Sequence, residues 1–157
     1  FLASGTRRDE LLYHPLEFEK ISVIRKQLAA LILRAKKELL IYDQKLTDRM
    51  ILRLLQSKIK DGVDVRVIGK VGKGVSGIET VKLAGRRLHV RAIVVDRKEV
   101  FIGSQSLRKL ELDGRREIGL ICRVATVARR VAQIFELDWE KSKGSKGGPS
   151  FDDDEDD

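Results

Sequence analysis

His89 and Arg91 stand two residues apart at the start of an apolar run, Ala92 to Val95, that has the length and composition of a buried β-strand. Because strand side chains alternate between faces, the imidazole and the guanidinium should point to the same side of a sheet. A neutral imidazole can attack phosphorus and hold the phosphoryl group covalently. A guanidinium can bind the non-bridging oxygens of a phosphate in a bidentate way. The pair therefore suits phosphodiester cleavage.

Polar residues continue along the chain beyond this strand. Asp96 to Glu99 predicts a turn, Val100 to Ile102 a second strand, and Gly103-Ser104-Gln105-Ser106 a tight corner of small residues. The serine hydroxyls and the backbone amides of this corner could donate hydrogen bonds to the charge that builds up in a transition state. Glu117 directly precedes a third predicted strand, Ile118 to Cys122.

The spacing of these residues resembles the motif of the phospholipase D superfamily, His-x-Lys-x4-Asp followed by Gly-Ser-x-Asn or Gly-Ser-x-x. Together with Ile41-Tyr42-Asp43 and Gly62-Val63-Asp64-Val65-Arg66 upstream, the resemblance covers roughly residues 16–139. Two residues depart from the family pattern: Arg91 replaces the usual lysine, and Ser106 (or Gln105) replaces the usual asparagine. The matching segments are His89-x-Arg91-x4-Asp96, Gly103-Ser104-Gln105-Ser106, Arg116-Glu117-Ile118-Gly119 and Phe135-Glu136-Leu137-Asp138-Trp139.

The resemblance implies roles for these residues. His89 would be the nucleophile that becomes a phosphohistidine, and Arg91 and Asp96 would complete the catalytic group. Either Asp96 or Glu117 would orient or charge-balance a cation. Substrate binding would fall to the residues around the corner, namely Ser104, Gln105, Ser106 and Glu117. We expect no cofactor and no metal, because two distant histidines and one cysteine do not make a zinc site.

The family's active site uses two copies of the motif, with one histidine as nucleophile and the other protonating the leaving group. This chain carries one copy. We therefore expect the second copy to come from a homodimer mate or from an upstream half, and we favour the upstream half because the chain starts abruptly at Phe1 and resembles C-terminal halves.

Three functions are consistent with these motifs. The first is a phosphodiesterase or phosphatidyltransferase acting on phospholipid, of the cardiolipin synthase type. The second is a nuclease of the same superfamily acting on DNA or RNA. The third is a catalytically degenerate domain that binds polyanions, which the two departures from the motif favour.

The charge of the chain agrees with a polyanionic partner. The 157 residues carry a net charge of +8, and residues 1–140 alone hold 29 basic and 18 acidic residues, a net charge of +11. Such an excess favours nucleic acid, an acidic membrane surface or a phosphate-bearing substrate. We expect a cytoplasmic or membrane-peripheral protein, because the sequence shows neither a signal peptide nor a membrane-spanning run.

The pattern of apolar residues predicts an N-terminal arm (residues 1–15), one domain (residues 16–141), and a disordered linker with an acidic tail (residues 142–157). Helices are predicted over residues 17–37, 47–60 and 124–141, and strands over residues 39–42 and 63–67. We expect the last helix to bury Val127, Val131, Ile134 and Phe135. Alternation of strand, helix and strand predicts an α/β fold with a mixed, mostly parallel sheet and helices on both faces.

A glycine-rich segment, Gly69 to Gly77, contains the spacing Gly72-x-Gly74-x-x-Gly77 found in dinucleotide-binding loops. The next possible helix, Ile78 to Leu83, is too short for the crossover helix of such a fold. We therefore interpret the segment as a mobile basic loop near the site. Cys122, the only cysteine, should be a buried reduced thiol.

Overall fold

The computed structural model describes residues 9–13, 18–104, 107–108 and 117–143, with side chains from Ile24 onward. Gln105, Ser106 and residues 144–157 lie outside the described residues, so the predicted linker and tail stay predictions. Within the predicted N-terminal arm, Asp9–Tyr13 forms a strand that pairs with the last strand of the sheet. The arm therefore contributes an edge strand, which its lack of apolar periodicity did not indicate.

One seven-stranded sheet forms the centre of the fold, in the order β1-β7-β6-β5-β2-β3-β4. Two neighbouring pairs, β2–β3 and β3–β4, are parallel, and the other four are antiparallel. The prediction of a mixed α/β sheet is confirmed. The prediction that most of its strand pairs are parallel is wrong. The strands are β1 (Asp9–Tyr13), β2 (Glu38–Leu46), β3 (Asp64–Val71), β4 (Glu79–Val81), β5 (Arg91–Val95), β6 (Glu99–Gly103) and β7 (Ile118–Cys122).

Helices cover both faces of the sheet, as predicted. Helices α1 (Phe18–Leu33) and α2 (Arg49–Lys60) pack on one face, and α3 (Ala125–Lys143) packs on the other. Strand β5 has apolar residues on both faces: Ile93 and Val95 join the α1–α2 core, while Ala92 and Val94 join the α3 core. Strand β5 thus lies between β6 and β2 and is covered by helices on both faces.

Helix α3 buries a stripe that matches the predicted one only in part: Phe135 is buried as predicted, and Val131 is partly buried. Val127 and Ile134 are exposed, and the residues that face the sheet are Ala128, Ala132, Phe135 and Trp139. These four recur at helical spacing, and the two alanines allow the helix backbone to approach the sheet closely. Large aliphatic residues on the neighbouring stripe made the apolar pattern ambiguous.

The segment after β3 forms a loop and a short strand, where a dinucleotide-binding fold would have a helix. Strand β3 continues to Val71, and after the loop the chain forms β4, a three-residue strand parallel to β3. A dinucleotide-binding loop leads directly into a helix, so the glycine spacing here has another cause. The segment 72–78 runs back alongside α2, where the amide of Ser76 donates to Gln56 Oε1 at 2.9 Å.

Candidate functional site

Arg91 is the first residue of β5 and its guanidinium is held in place by neighbouring groups. Its Nη2 donates to Gln44 Oε1 of β2 at 3.1 Å, and its Nη1 donates to the carbonyl oxygen of Val90 at 3.2 Å. The Nε atom is buried and has no hydrogen-bond partner among the described residues. Arg91 is thus a partly buried cation that hydrogen bonds hold at the start of β5.

His89 lies just before β5, and its side chain is exposed. The strand begins only at Arg91, so the alternation predicted for the two side chains applies from Arg91 onward. Within the described part of the chain, the imidazole has no hydrogen bond or ion pair. His89 is therefore accessible to a substrate, two residues before Arg91 in the sequence.

Ser104 and Glu117 meet at the same edge of the sheet as Arg91. The register aligns Arg91 with Gly103 and Gly103 with Gly119, so β6 ends and β7 begins beside the start of β5. Ser104 Oγ donates to Glu117 Oε2 and accepts from the amide of Ile118 at 3.2 Å. The Ser104 amide donates to the carbonyl oxygen of Ile118 at 3.0 Å. Both donors of Ser104 are thus engaged within this corner, and a contact with substrate would require Glu117 to release the hydroxyl.

Asp43 of β2 also lies at this edge of the sheet, and its role there is structural. The sequence alone gave it no role. Its carboxylate is 1% exposed and accepts from the amides of Lys45 at 2.9 Å and Leu107 at 2.5 Å. The Leu107 carbonyl in turn accepts from the amides of Thr47 and Asp48, each at 2.9 Å. These bonds fasten the segment that follows the Gly103 corner to the end of β2. The sequence did contain a signal for Asp43, because an acidic residue directly follows the apolar residues of a buried strand.

Gly69 of β3 lies opposite Asp43, at a bulge in the pairing of the two strands. It has a φ of +140°, and a Cβ atom placed there would lie 1.7 Å from the carbonyl oxygen of Asp43. Only glycine fits such an approach. The bulge therefore sets the position of Asp43 at the edge of the sheet that carries Arg91.

Asp96 lies at the opposite end of β5 from His89 and Arg91. Five residues of extended chain separate Arg91 from Asp96, a distance of about 17 Å. The Asp96 carboxylate accepts from the amides of Lys36 at 2.9 Å, Lys37 at 2.8 Å and Glu38 at 2.9 Å. The structure does not bring Asp96 into the site, and the expectation of a catalytic role is corrected: this carboxylate caps the start of β2.

The electrostatics of Asp96 agree with that structural role. Partial burial acts to raise the pKa of its carboxyl, but the amides of Glu38, Lys36 and Lys37 stabilise the ionised form more strongly. The net result is a lowered pKa.

The segment Phe135 to Trp139 joins α3 to the sheet. The Phe135 ring stacks on Trp139 at 5.6 Å and meets Tyr42 edge-on at 5.1 Å. The Tyr42 hydroxyl donates to Asp138 Oδ2 at 2.6 Å. Burial and this bond raise the pKa of Tyr42. The matching motif is therefore a packing element.

Two negative observations concern the described residues alone. No group of three or more histidine, cysteine, aspartate and glutamate side chains there is placed to hold a metal ion. None of the helices found in those residues combines the length and the apolar character needed to cross a membrane.

The family model described as "Cardiolipin synthase, PLD-like domain" matches residues 28–139, which is more than half of the chain. The chain belongs to the phospholipase D superfamily. The match includes His89, Arg91, Glu117 and the closing Phe135–Trp139 segment of this phospholipase D-like domain.

Solved structures show the same fold. NucT from Helicobacter pylori has a TM-score of 0.71 and 17% identity, over 85% of this chain and 96% of that protein. Nuc from Salmonella typhimurium, a phospholipase D family member, has a TM-score of 0.71 and 18% identity, over 88% of this chain and 98% of that protein. A phosphatidylserine synthase from Haemophilus influenzae has a TM-score of 0.65 and 12% identity, over 85% of this chain and 38% of that protein. No curated protein matches this sequence.

Proposed function

We propose that this phospholipase D-like domain cleaves or transfers phosphodiesters through a covalent phosphohistidine at His89. The observation that carries the proposal is the exposed imidazole of His89, two residues before Arg91, whose guanidinium is held by Gln44. A nucleophile must be accessible, whereas a group that stabilises charge must be held in place before the reaction begins. The two side chains meet these two requirements.

The reaction would proceed in two displacements at phosphorus. In the first, an imidazole nitrogen of His89 forms a bond to phosphorus while the bond to the leaving alcohol oxygen breaks, and that oxygen takes a proton from a general acid. In the second, water or another alcohol attacks phosphorus, loses its proton to the same group, and the nitrogen–phosphorus bond breaks. Arg91 would hold the non-bridging oxygens in both steps.

The general acid would be a second motif histidine from a homodimer mate or from an upstream half. Within the described residues, His89 is the only histidine at this edge of the sheet. A chain that turns over substrate by itself should therefore be a dimer in light scattering. A monomer with full turnover would refute the shared site.

The proposal is tested with bis-p-nitrophenyl phosphate, a phosphodiester that needs no specific binding groove. His89→Ala should abolish turnover without loss of fold, because His89 is exposed, and the control Arg129→Ala on α3 should keep the activity of the parent. Turnover should also survive EDTA. Undiminished turnover in His89→Ala would remove it as nucleophile, and activity lost in EDTA and restored by a divalent ion would indicate another mechanism.

Two substrate classes remain, and each has support. The family model that matches is a cardiolipin synthase domain, which supports transfer of a phosphatidyl group. Three basic side chains along α2, those of Arg49, Arg53 and Lys60, support a nucleic acid instead. A parent chain that binds polyanions but turns over no phosphodiester would identify the degenerate member of the family.

A further inference from the structure

A groove of about 460 Å³ lies between α2 and the segment 72–78. Its walls carry four basic side chains: Arg49, Arg53 and Lys60 from α2, and Lys73 from the loop. Among the described residues that line it, none is acidic. We call this feature the α2 groove.

The four cations of the α2 groove differ from five other arginines of the described residues, each of which forms an ion pair with a carboxylate. Within the described residues, Arg49, Arg53, Lys60 and Lys73 form no ion pair or hydrogen bond. A concave surface lined by one sign of charge concentrates the field and attracts ions of the opposite sign. The five arginines are Arg25, Arg34, Arg66, Arg97 and Arg123.

The cations on α2 form a straight row. Arg49 and Arg53 are four residues apart, and Lys60 follows seven residues later, which places all three within about 40° of one another around the helix. The spacings along the helix axis are about 6 Å and about 10 Å. A row of this length matches a ligand whose negative charges repeat along a line, whereas a single phosphate would contact one or two of the side chains.

The lining of the α2 groove favours a nucleic acid over a lipid surface. A bilayer is flat and is bound through apolar side chains that insert beside the cations. The two aliphatic side chains of the groove do not offer this, because Leu52 is buried and Val75 is partly buried. A flexible strand can enter a concave site, whereas the phosphates of a duplex lie on a convex surface.

We propose that the α2 groove binds the sugar–phosphate backbone of a single-stranded nucleic acid. No aromatic side chain lines the described groove, so the contacts are to phosphates and carry no base preference. Arg49, at the start of α2, follows the end of β2, the strand whose Gln44 holds Arg91. This inference rests on the proposed function only in naming nucleic acid as the substrate class for His89; the binding itself is independent of catalysis.

The test is fluorescence anisotropy with a labelled oligothymidylate of about 20 nucleotides, titrated over a series of NaCl concentrations. For single strands the slope of log K against log salt changes by about 0.7 for each phosphate contact. The double variant R53A/K60A should therefore make this negative slope less steep by about 1.4. It should also weaken binding about 25-fold near 0.1 M NaCl. The matched control R129A/R130A removes the same charge from the exposed face of α3 and should weaken binding less than about threefold.

Two outcomes would overturn the proposal, and a third separates it from the proposed function. Equal losses in R53A/K60A and R129A/R130A would overturn it, because binding would then follow net charge alone. Groove-dependent binding to phosphatidylglycerol vesicles without binding to the oligonucleotide would also overturn it. Retained turnover in His89→Ala would refute the phosphohistidine, whereas the groove is decided by the comparison of R53A/K60A with R129A/R130A.

Discussion

Replacing Asp96 by alanine should destabilise the fold while leaving the chemistry at His89 intact. The Asp96 carboxylate accepts hydrogen bonds from three consecutive amides, those of Lys36, Lys37 and Glu38, at 2.8 to 2.9 Å. Its backbone has a φ of +51°, a left-handed conformation that aspartate tolerates better than alanine. One residue thus ties the β5–β6 turn to the start of β2.

The magnitude follows from these contacts. The bond from the Glu38 amide is partly buried, and leaving that amide unpaired costs about 1–3 kcal/mol. The amides of Lys36 and Lys37 are exposed and can turn to water, so each contributes about 0.5 kcal/mol. Alanine at a positive φ adds about 1 kcal/mol. We expect Asp96→Ala to lower the free energy of unfolding by about 3–5 kcal/mol, with a Tm about 10 °C lower.

Two further variants separate the hydrogen bonds from the backbone conformation. Asp96→Gly loses the carboxylate but accepts the positive φ, so it should be about 1 kcal/mol more stable than Asp96→Ala. Asp96→Asn keeps one acceptor oxygen and loses the charge. Urea unfolding followed by circular dichroism measures all three.

The pH dependence of Asp96→Asn provides an independent check. The pKa of Asp96 is lowered in the folded state, so its stabilisation is full above the unfolded value, near 3.9, and is lost as the pH falls through the lower folded value. The difference in unfolding free energy between parent and Asp96→Asn should therefore be largest near neutral pH and shrink below about pH 4. A difference that does not depend on pH would refute the assignment. Lost turnover in a variant of unchanged stability would restore Asp96 to the catalytic group.

Three further predictions concern other residues. Gly69→Ala should lower the free energy of unfolding by at least about 3 kcal/mol in urea, because its Cβ would meet the carbonyl oxygen of Asp43; a loss below 1 kcal/mol would show that the bulge adjusts. Arg91→Lys should keep turnover of bis-p-nitrophenyl phosphate and Arg91→Ala should lose about 100-fold or more, while equal rates in both would remove Arg91 from the site. Tyr42→Phe should cost about 1.5–3 kcal/mol in thermal unfolding, because it removes a hydrogen bond to the Asp138 carboxylate; an unchanged Tm would contradict this.

Local patterns predicted the hairpin that carries His89 and Arg91. The apolar run from Ala92 to Val95 has no polar residue on either face, so burial on both sides followed from composition alone. The turn at Asp96 and the small-residue corner at Gly103 bounded the second strand for similar local reasons. Motif spacing along one hairpin is local information, which explains why the family was recognisable from the sequence.

Local sequence patterns did not determine the directions of the strands. Strand–helix–strand alternation holds for β2, α2 and β3, and these strands are parallel. Beyond them β5, β6 and β7 pair antiparallel, and β5 inserts antiparallel beside β2. The pairing of β2 with β5 joins segments about fifty residues apart in sequence, so no local pattern specifies its direction.

The tertiary structure decided which polar residues belong to the site. Asp96 is five residues from Arg91 in sequence, yet an extended strand carries it to the opposite end of the sheet, where it meets the amides of Lys36 to Glu38. Asp43 is far from the motif in sequence but fastens the segment after its Gly103 corner. A β-strand separates neighbours in sequence by more than 3 Å per residue, while a sheet joins distant strands side by side. Residue types and spacing therefore identified the proposed nucleophile and its arginine, and packing across the sheet determined the group that holds Arg91.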